Sequence, residues 1–290
     1  MRCAFVEAER ARHEVGLLCR CLRLARATYY AWRKRAPSAR AIENLRIRHE
    51  MRLVHAESDR TYGVERMRLE LQQRGYPYIS EERVRRLMRA ERLVAKPVRR
   101  KPRYQVEPSS LPAAPNLVAQ RFGVGIINRV WASDITYLWT SSGWLYLAVV
   151  LDLGSRRVIG WATMARLSRD LVLKALRHAF EARLPQHGLI HHSDRGSQFN
   201  SNEFQMVLSR HGIQCSMSAK GNCYDNAVVE SFFATLKREL IRGRRYATRD
   251  DITKALFEYI EVFYNRSRRH TSLGGLSPVD FERQLGSESA

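Results

Sequence analysis

The hydrophobic period changes once along this chain, and that change constrains the fold more than any other feature. Residues 14–96 place apolar side chains at helical spacing. Beyond residue 125 the apolar positions come in short blocks rich in β-branched and aromatic residues. Between the two regimes lie Pro97, Pro102, Pro108, Pro112 and Pro115 in a polar, basic stretch, the composition of an extended linker. We therefore expect a helical region over residues 1–96, a linker over 97–122 and a second domain over 123–285.

Charge is distributed as unevenly as hydrophobicity. The 290 residues hold 50 Lys+Arg against 29 Asp+Glu, a net of +21, and at 44% hydrophobic the chain has enough apolar residues for a real core. Residues 1–103 carry 27 Lys+Arg and 12 Asp+Glu, a net of +15; the remaining 23 and 17 leave the rest at +6. A basic arm of this kind points to a polyanionic partner, nucleic acid first. No run of eighteen apolar residues is present, and the Met1–Glu7 start lacks a signal-peptide pattern, so we expect a cytoplasmic protein with no membrane span. Five cysteines (Cys3, Cys19, Cys21, Cys215 and Cys223) lack zinc-ligand spacing and read as reduced thiols.

Within the basic third, residues 14–35 read as two short helices broken at Ala27-Thr28, with Thr28 capping the second, a weak helix-turn-helix pattern. A clearer helix spans 41–57, with Ile42, Leu45, Ile47 and Leu53 as its apolar stripe. Another follows over Thr61–Leu71, which includes Arg66, and Ser80 caps a third through Leu87 and Met88. Beyond the linker, strands are expected over 130–138, 144–151, 157–163, 188–193 and 213–217. Helices are expected over 168–183, 202–211, 226–240 and 246–263. Short turns between the first three strands imply antiparallel pairing, and the whole is an α/β mixed five-stranded sheet with helices on both faces.

Three acids stand in places that a structural role explains poorly. Asp134 is mid-strand among Trp131, Ile135, Tyr137 and Leu138, and Glu230 sits in the apolar helix Ala227–Phe233. Asp194 ends the fourth strand, where it also reads as an ordinary turn residue. If strands one and four are neighbours, Asp134 and Asp194 converge, and a helix on the sheet can aim Glu230 at the same point. Carboxylates without imidazole or thiolate partners suit Mg2+ or Mn2+. Two such ions about 3.5–4 Å apart would clamp an in-line phosphoryl displacement. His191 and His192 beside the strand end read as structural. Asp225 or Asn226 reads as the cap of the Glu230 helix, and Arg266–His270 as either a DNA-facing patch or a solvated turn.

The segments Trp131–Tyr137, His192–Phe199 and Asp225–Lys237, with thirty-five residues between Asp194 and Glu230, resemble the integrase-type DDE transposases of bacterial insertion sequences. Tyr264–Gly274 with Ser277-Pro278 resembles that family's ending, and the likeness covers nearly the whole chain. It is nearest to the second-frame (OrfB) product of elements with two overlapping frames. The resemblance implies an RNase H-like core in which Asp134, Asp194 and Glu230 hold Mg2+ or Mn2+, in two ions. It also implies cleavage at the element's ends and 3′-OH strand transfer. Lys237, two helical turns past Glu230, is expected to contact DNA phosphate, with Arg195, Arg238 and Arg66 as further DNA-binding candidates. Expected partners are double-stranded DNA of the element's ends and target, further copies of the chain, and a first-frame product fused to it or assisting it. A catalytically silent DNA-binding regulator and an RNase H-like nuclease are the competing readings.

Overall fold

The computed structural model describes residues 1–96, 114–118, 125–184, 187–218 and 226–288. Most of the expected linker, 97–122, lies outside them, as do Cys223 and Asp225.

The strand-rich half forms one five-stranded sheet in the order β3-β2-β1-β4-β5. β1 (Val130–Thr140), β2 (Gly143–Asp152) and β3 (Val158–Met164) form an antiparallel meander. The β1–β2 turn is tight because Gly143 takes φ +107°, a conformation L side chains rarely adopt. β4 (Ile190–Ser193) and β5 (Gln214–Met217) join the other edge of β1 in parallel. Their crossovers are α7 (Arg169–Ala182) and α8 (Asn202–Arg210), as parallel pairing requires.

Alternation along β1 divides the core between the two faces of the sheet. Trp131 and Ile135 pack with α7 and α8, whereas Ala132 and Leu138 pack with the C-terminal helices. α7 lies so close to β3 that a Cβ on Gly160 would stand 2.3 Å from the Ala175 carbonyl oxygen and 2.6 Å from the Ala179 nitrogen. Only glycine fits there.

The expected helices over 226–240 and 246–263 each change character partway. α9 (Ala227–Leu236) continues as a π-helical turn, Lys237–Ile241, and α10 (Arg249–Phe257) as a second, Glu258–Tyr264. Two side chains on these π turns meet in the interior, where the Tyr259 hydroxyl donates to Glu239 Oε2 at 2.8 Å. α11 (Pro278–Glu288) closes the chain.

The basic third folds as two helical clusters. α1 (Arg2–Glu9), α2 (Val15–Cys21) and α3 (Arg26–Lys34) gather around Val6, Leu18 and Tyr29. The expected break at Ala27-Thr28 is corrected: the turn spans Leu22 to Ala25, with Arg23 at φ +49°, so Tyr29 stands one helical turn into α3. α4 (Ala39–Glu57), α5 (Val64–Gln73) and α6 (Glu81–Ala90) form the second cluster, and Ser80 caps α6 by accepting from Arg83 N at 3.3 Å. The α4 stripe also differs. Ile47, Met51 and Val54 face inward, while Ile42, Leu45 and Leu53 are exposed.

Helices α4–α6 are packed against the end of the chain. Phe263 touches both their core and that of the sheet. The Tyr62 hydroxyl donates to the Ser267 carbonyl at 3.2 Å and accepts from Arg269 N at 3.0 Å, and Arg269 Nε reaches Glu70 at 2.9 Å.

Candidate active site

Register brings the first two carboxylates together. The parallel β1–β4 ladder ends with Ser133 opposite Ser193, so Asp134 and Asp194 are the next residues of two neighbouring strands. Strands in a ladder lie about 4.8 Å apart. Behind Asp134 the ladder is reinforced by buried polar groups: Ser133 Oγ and His191 Nε2 share a hydrogen bond of 2.8 Å, and Ser216 Oγ and His192 Nδ1 one of 2.9 Å. Burial and the neighbouring His192 push the His191 pKa down to about 3, so it is neutral. Both histidines are structural, as expected.

Glu230 arrives on α9, whose first turn is tied to the same strand. Asn226 occupies the N-cap position but makes no side-chain cap bond. Its Nδ2 instead donates to the Ser133 carbonyl at 3.3 Å, one residue before Asp134. Of the two expected caps, Asp225 lies outside the described residues, and Asn226 is instead a tether between the Glu230 helix and the Asp134 strand.

The electrostatics of Asp134 register the other two acids. Its pKa is pushed up to about 8, first by burial, then by the Asp194 charge, with the Glu230 charge adding to it. The Ile135 amide and the Lys237 ammonium oppose the rise. Burial also raises Asp194, against the hydrogen bond from Gly196 N. Carboxylates, hard oxygen donors, whose charges act on one another at Asp134 suit a divalent cation in kind. As the side chains stand, Asp134 Oδ1 accepts from Ile135 N at 2.7 Å and Asp194 Oδ1 from Gly196 N at 2.9 Å. Among the described residues no three acidic, histidine or cysteine side chains are drawn close enough to cage an ion.

Of the four DNA-contact candidates, only Lys237 faces the carboxylates. Its Nζ lies 5.2 Å from the centroid of the exposed Tyr137 ring. Arg195 Nε donates to the Ser218 carbonyl at 2.8 Å. Arg238 and Arg66 turn toward buried Glu239, at 3.1 and 3.8 Å, and each guanidinium stays partly exposed. Neither alternative for Arg266–His270 describes the whole segment either. Arg266 is exposed, but Arg268 is buried on Glu239 and Arg269 is docked on α5.

A central β1 flanked by β4, with acids at matched positions and a third on a packed helix, defines an integrase-type RNase H-like core. The chain matches the family model "Integrase core domain" over residues 126–223, a second model of that description over 230–285, and "HTH-like domain" over 43–102. It is 41% identical over 286 residues to "Transposase InsF for insertion sequence IS3A" of Escherichia coli (strain K12), covering 98% of this chain and 99% of that protein. It is 39% identical over 267 residues to "Insertion element IS600 uncharacterized 31 kDa protein" of Shigella sonnei, covering 92% and 98%. A similar solved structure is the HTLV-2 integrase catalytic core domain in complex with magnesium, with 20% identity, a TM-score of 0.41, and coverage of 54% of this chain and 98% of that one. The chain belongs to the integrase-core transposases of bacterial insertion sequences.

Proposed function

We propose that this chain cleaves DNA at the ends of an insertion sequence and joins the freed 3′-hydroxyl to target DNA, using Asp134, Asp194 and Glu230. The observation that carries the reading is the position of Asp134: a half-buried strand carboxylate held beside Asp194 and within the field of Glu230, with Lys237 the cation acting on it. Bound Mg2+ or Mn2+, two ions in this reading, would supply the Lewis acidity that activates the attacking oxygen and stabilises the leaving one. The protein's part is positioning. β1 and β4 present two carboxylates in fixed register, Asn226 holds the start of α9 so that the third reaches them, and Lys237 places a cation where a DNA phosphate enters.

The proposed boundaries are a basic helical region over 1–96, a linker over 97–122 and the catalytic core over 123–285. Proposed partners are double-stranded DNA of the element's ends and of the target, further copies of the chain in the DNA complex, and a first-frame product fused to it or assisting it. Among the described residues no helix is long and apolar enough to cross a membrane. A cytoplasmic, nucleoid-associated protein is consistent with these partners. The test incubates the protein, alone and fused to the first-frame segment, with labelled element-end DNA, a target plasmid and Mg2+ or Mn2+. Joined products that vanish in Asp134→Asn, Asp194→Asn and Glu230→Gln are expected. Joining that survives Asp134→Asn, or DNA binding without cleavage in either form, refutes it.

A further inference from the structure

We infer that Tyr137, Trp139 and Trp144, at the free end of the β1–β2 hairpin, form a stacking platform for unpaired bases of the DNA strand whose phosphate enters the carboxylate site. The inference rests on the proposed reaction and adds where the strand lies.

Three large rings are left in solvent side by side: Tyr137 and Trp139 are each 58% exposed and Trp144 44%. Trp144 stands edge-to-face to both neighbours, with centroids 5.3 Å from Tyr137 and 4.8 Å from Trp139. Such a contact covers the face of only one ring of each pair, so π surface remains open. The hairpin is also braced. Thr140 Oγ1 donates to the Gly143 carbonyl at 2.7 Å, Ser141 N to the Tyr246 carbonyl at 2.9 Å, and Arg249 Nε to the Trp144 carbonyl at 3.0 Å. A rigid, exposed aromatic row is a binding surface rather than a chance of composition.

Its charge setting selects the occupant. Lys237 lies over Tyr137 at one end, and Arg249 holds the strand beside Trp144 at the other. The surface thus combines π faces with cations, the combination that single-stranded nucleic acid requires and an apolar protein partner does not. By strand alternation Tyr137, Trp139 and Trp144 lie on the sheet face opposite Asp134, and the DNA strand reaches them around the edge of β1 beyond its last β4 partner, Ser133, where Lys237 acts on Asp134 and stands over Tyr137. Tyr137 and Trp139 are three and five residues beyond Asp134, about 10 and 17 Å at strand rise. At about 3.4 Å per nucleotide these distances correspond to about three to five nucleotides from the scissile phosphate. Bases in an intact duplex already have their faces stacked, so the platform takes bases that have left the stack.

The test uses the full chain carrying Asp134→Asn in EDTA, so that no result depends on cleavage. It measures binding of two end DNAs, one fully paired and one with unpaired bases three to five nucleotides from the cleavage point, with 2-aminopurine at those positions. Trp139→Ala and Trp144→Ala should each weaken binding of the unpaired DNA by about 5- to 150-fold, the loss of one base–aromatic stack. They should abolish the 2-aminopurine quench and leave paired DNA nearly unaffected, while Trp139→Phe should retain most of the binding. Circular dichroism checks that the variants are folded. Equal loss on both DNAs, or no loss on either, overturns the inference. So does a change in oligomeric state with the DNA preference intact, which would make the patch an interface between copies of the chain. Failure of strand transfer in the wild type would overturn the proposed reaction and leave this binding result standing.

Discussion

Replacing Arg268 with Met should destabilise the protein far more than a surface arginine would, because it strands a buried carboxylate. Glu239 and Arg268 are 2% and 3% exposed. Arg268 Nε and Nη2 grip the two carboxylate oxygens at 2.9 Å each, and the Tyr259 hydroxyl adds a bond at 2.8 Å. Lys96 Nζ reaches the Glu239 backbone carbonyl at 3.1 Å. Burial alone would raise the Glu239 pKa, yet the hydrogen bonds and charge of Arg268, with Tyr259 and Arg238, hold it below the ordinary carboxylate value. Removing one partner of such a pair costs about 3–5 kcal/mol. Tyr259, Arg238 and Arg66 remain near the charge, which places the expected loss near the lower figure, about 3 kcal/mol. Against a total stability of about 5–15 kcal/mol, that is a large fraction.

Urea unfolding measures it as a lowered midpoint at unchanged slope. Glu239→Leu/Arg268→Met should recover most of the loss, since replacing both members with apolar side chains is often neutral. The pH dependence follows from the sign of the shift. A carboxylate with a depressed folded pKa contributes stability above its unfolded value of about 4.3 that is lost as pH falls through the lower folded value. In Arg268→Met the carboxyl loses its main partner and its folded pKa rises, so the gap from wild type should narrow in acid. A loss under about 1 kcal/mol, or a double variant as weak as Arg268→Met, would refute the reasoning.

Three other outcomes are expected. In EDTA, the stability that Asp134 contributes, read as wild type minus Asp134→Asn in thermal melts, should fall as pH rises from about 4 to about 8, because a carboxyl whose folded pKa is raised to about 8 favours the folded state only while protonated; the same variant should abolish cleavage, and a difference that does not change with pH counts against the raised pKa. Gly160→Ala should destabilise the protein by the upper part of about 1–3 kcal/mol, read as a lowered urea midpoint, since its Cβ would meet α7 backbone at 2.3 and 2.6 Å; an unchanged midpoint counts against that packing. Lys237→Ala should reduce DNA affinity and lower the slope of log affinity against log salt by about 1, read by fluorescence anisotropy; an unchanged slope argues against a phosphate contact.

The strands were legible because the information is local: period, turn residues and short connections identify β1–β5, whereas the meeting of β1 with β4 stood only as a possibility until the ladder was seen. The cap at Ser80 was legible for the same reason. The inward face of α4 was not. Ile42, Leu45 and Leu53 are as apolar as Ile47, and only the placement of α5 and α6 decides which of them is covered. Neither were the docking of Tyr62 on Ser267, 205 residues away, nor the two π turns, whose buried Glu239 and Tyr259 find each other only in the folded core. The approach of Arg66 and Arg238 to Glu239 was hidden for the same reason. Positive charge at a helical position does not reveal whether the guanidinium faces solvent or a buried acid.

Buried acids divide by their partners, and the division identifies the site better than burial does. Asp152 is wholly buried, but Asn128 N, Gly154 N, Ser155 N and the Arg183 guanidinium all donate to it, so it holds a turn. Glu239 is equally enclosed and carries a bidentate arginine. Asp134, half-buried, receives only the Ile135 amide among the described residues, and it stands in the field of Asp194 and Glu230, two charges of its own sign, with Lys237 the opposing one. An arrangement that raises the energy of an ionised side chain while its neighbours stay compensated is unexplained by folding and is expected where a cation or a reaction will use it. Asp134 and Glu230 drew attention in the sequence through apolar surroundings, and Asp194 through its place at a strand end. Asp152 and Glu239 did not, because their compensating donors arrive from other elements. The same long-range packing that hid the structural acids left conspicuous the three proposed for catalysis.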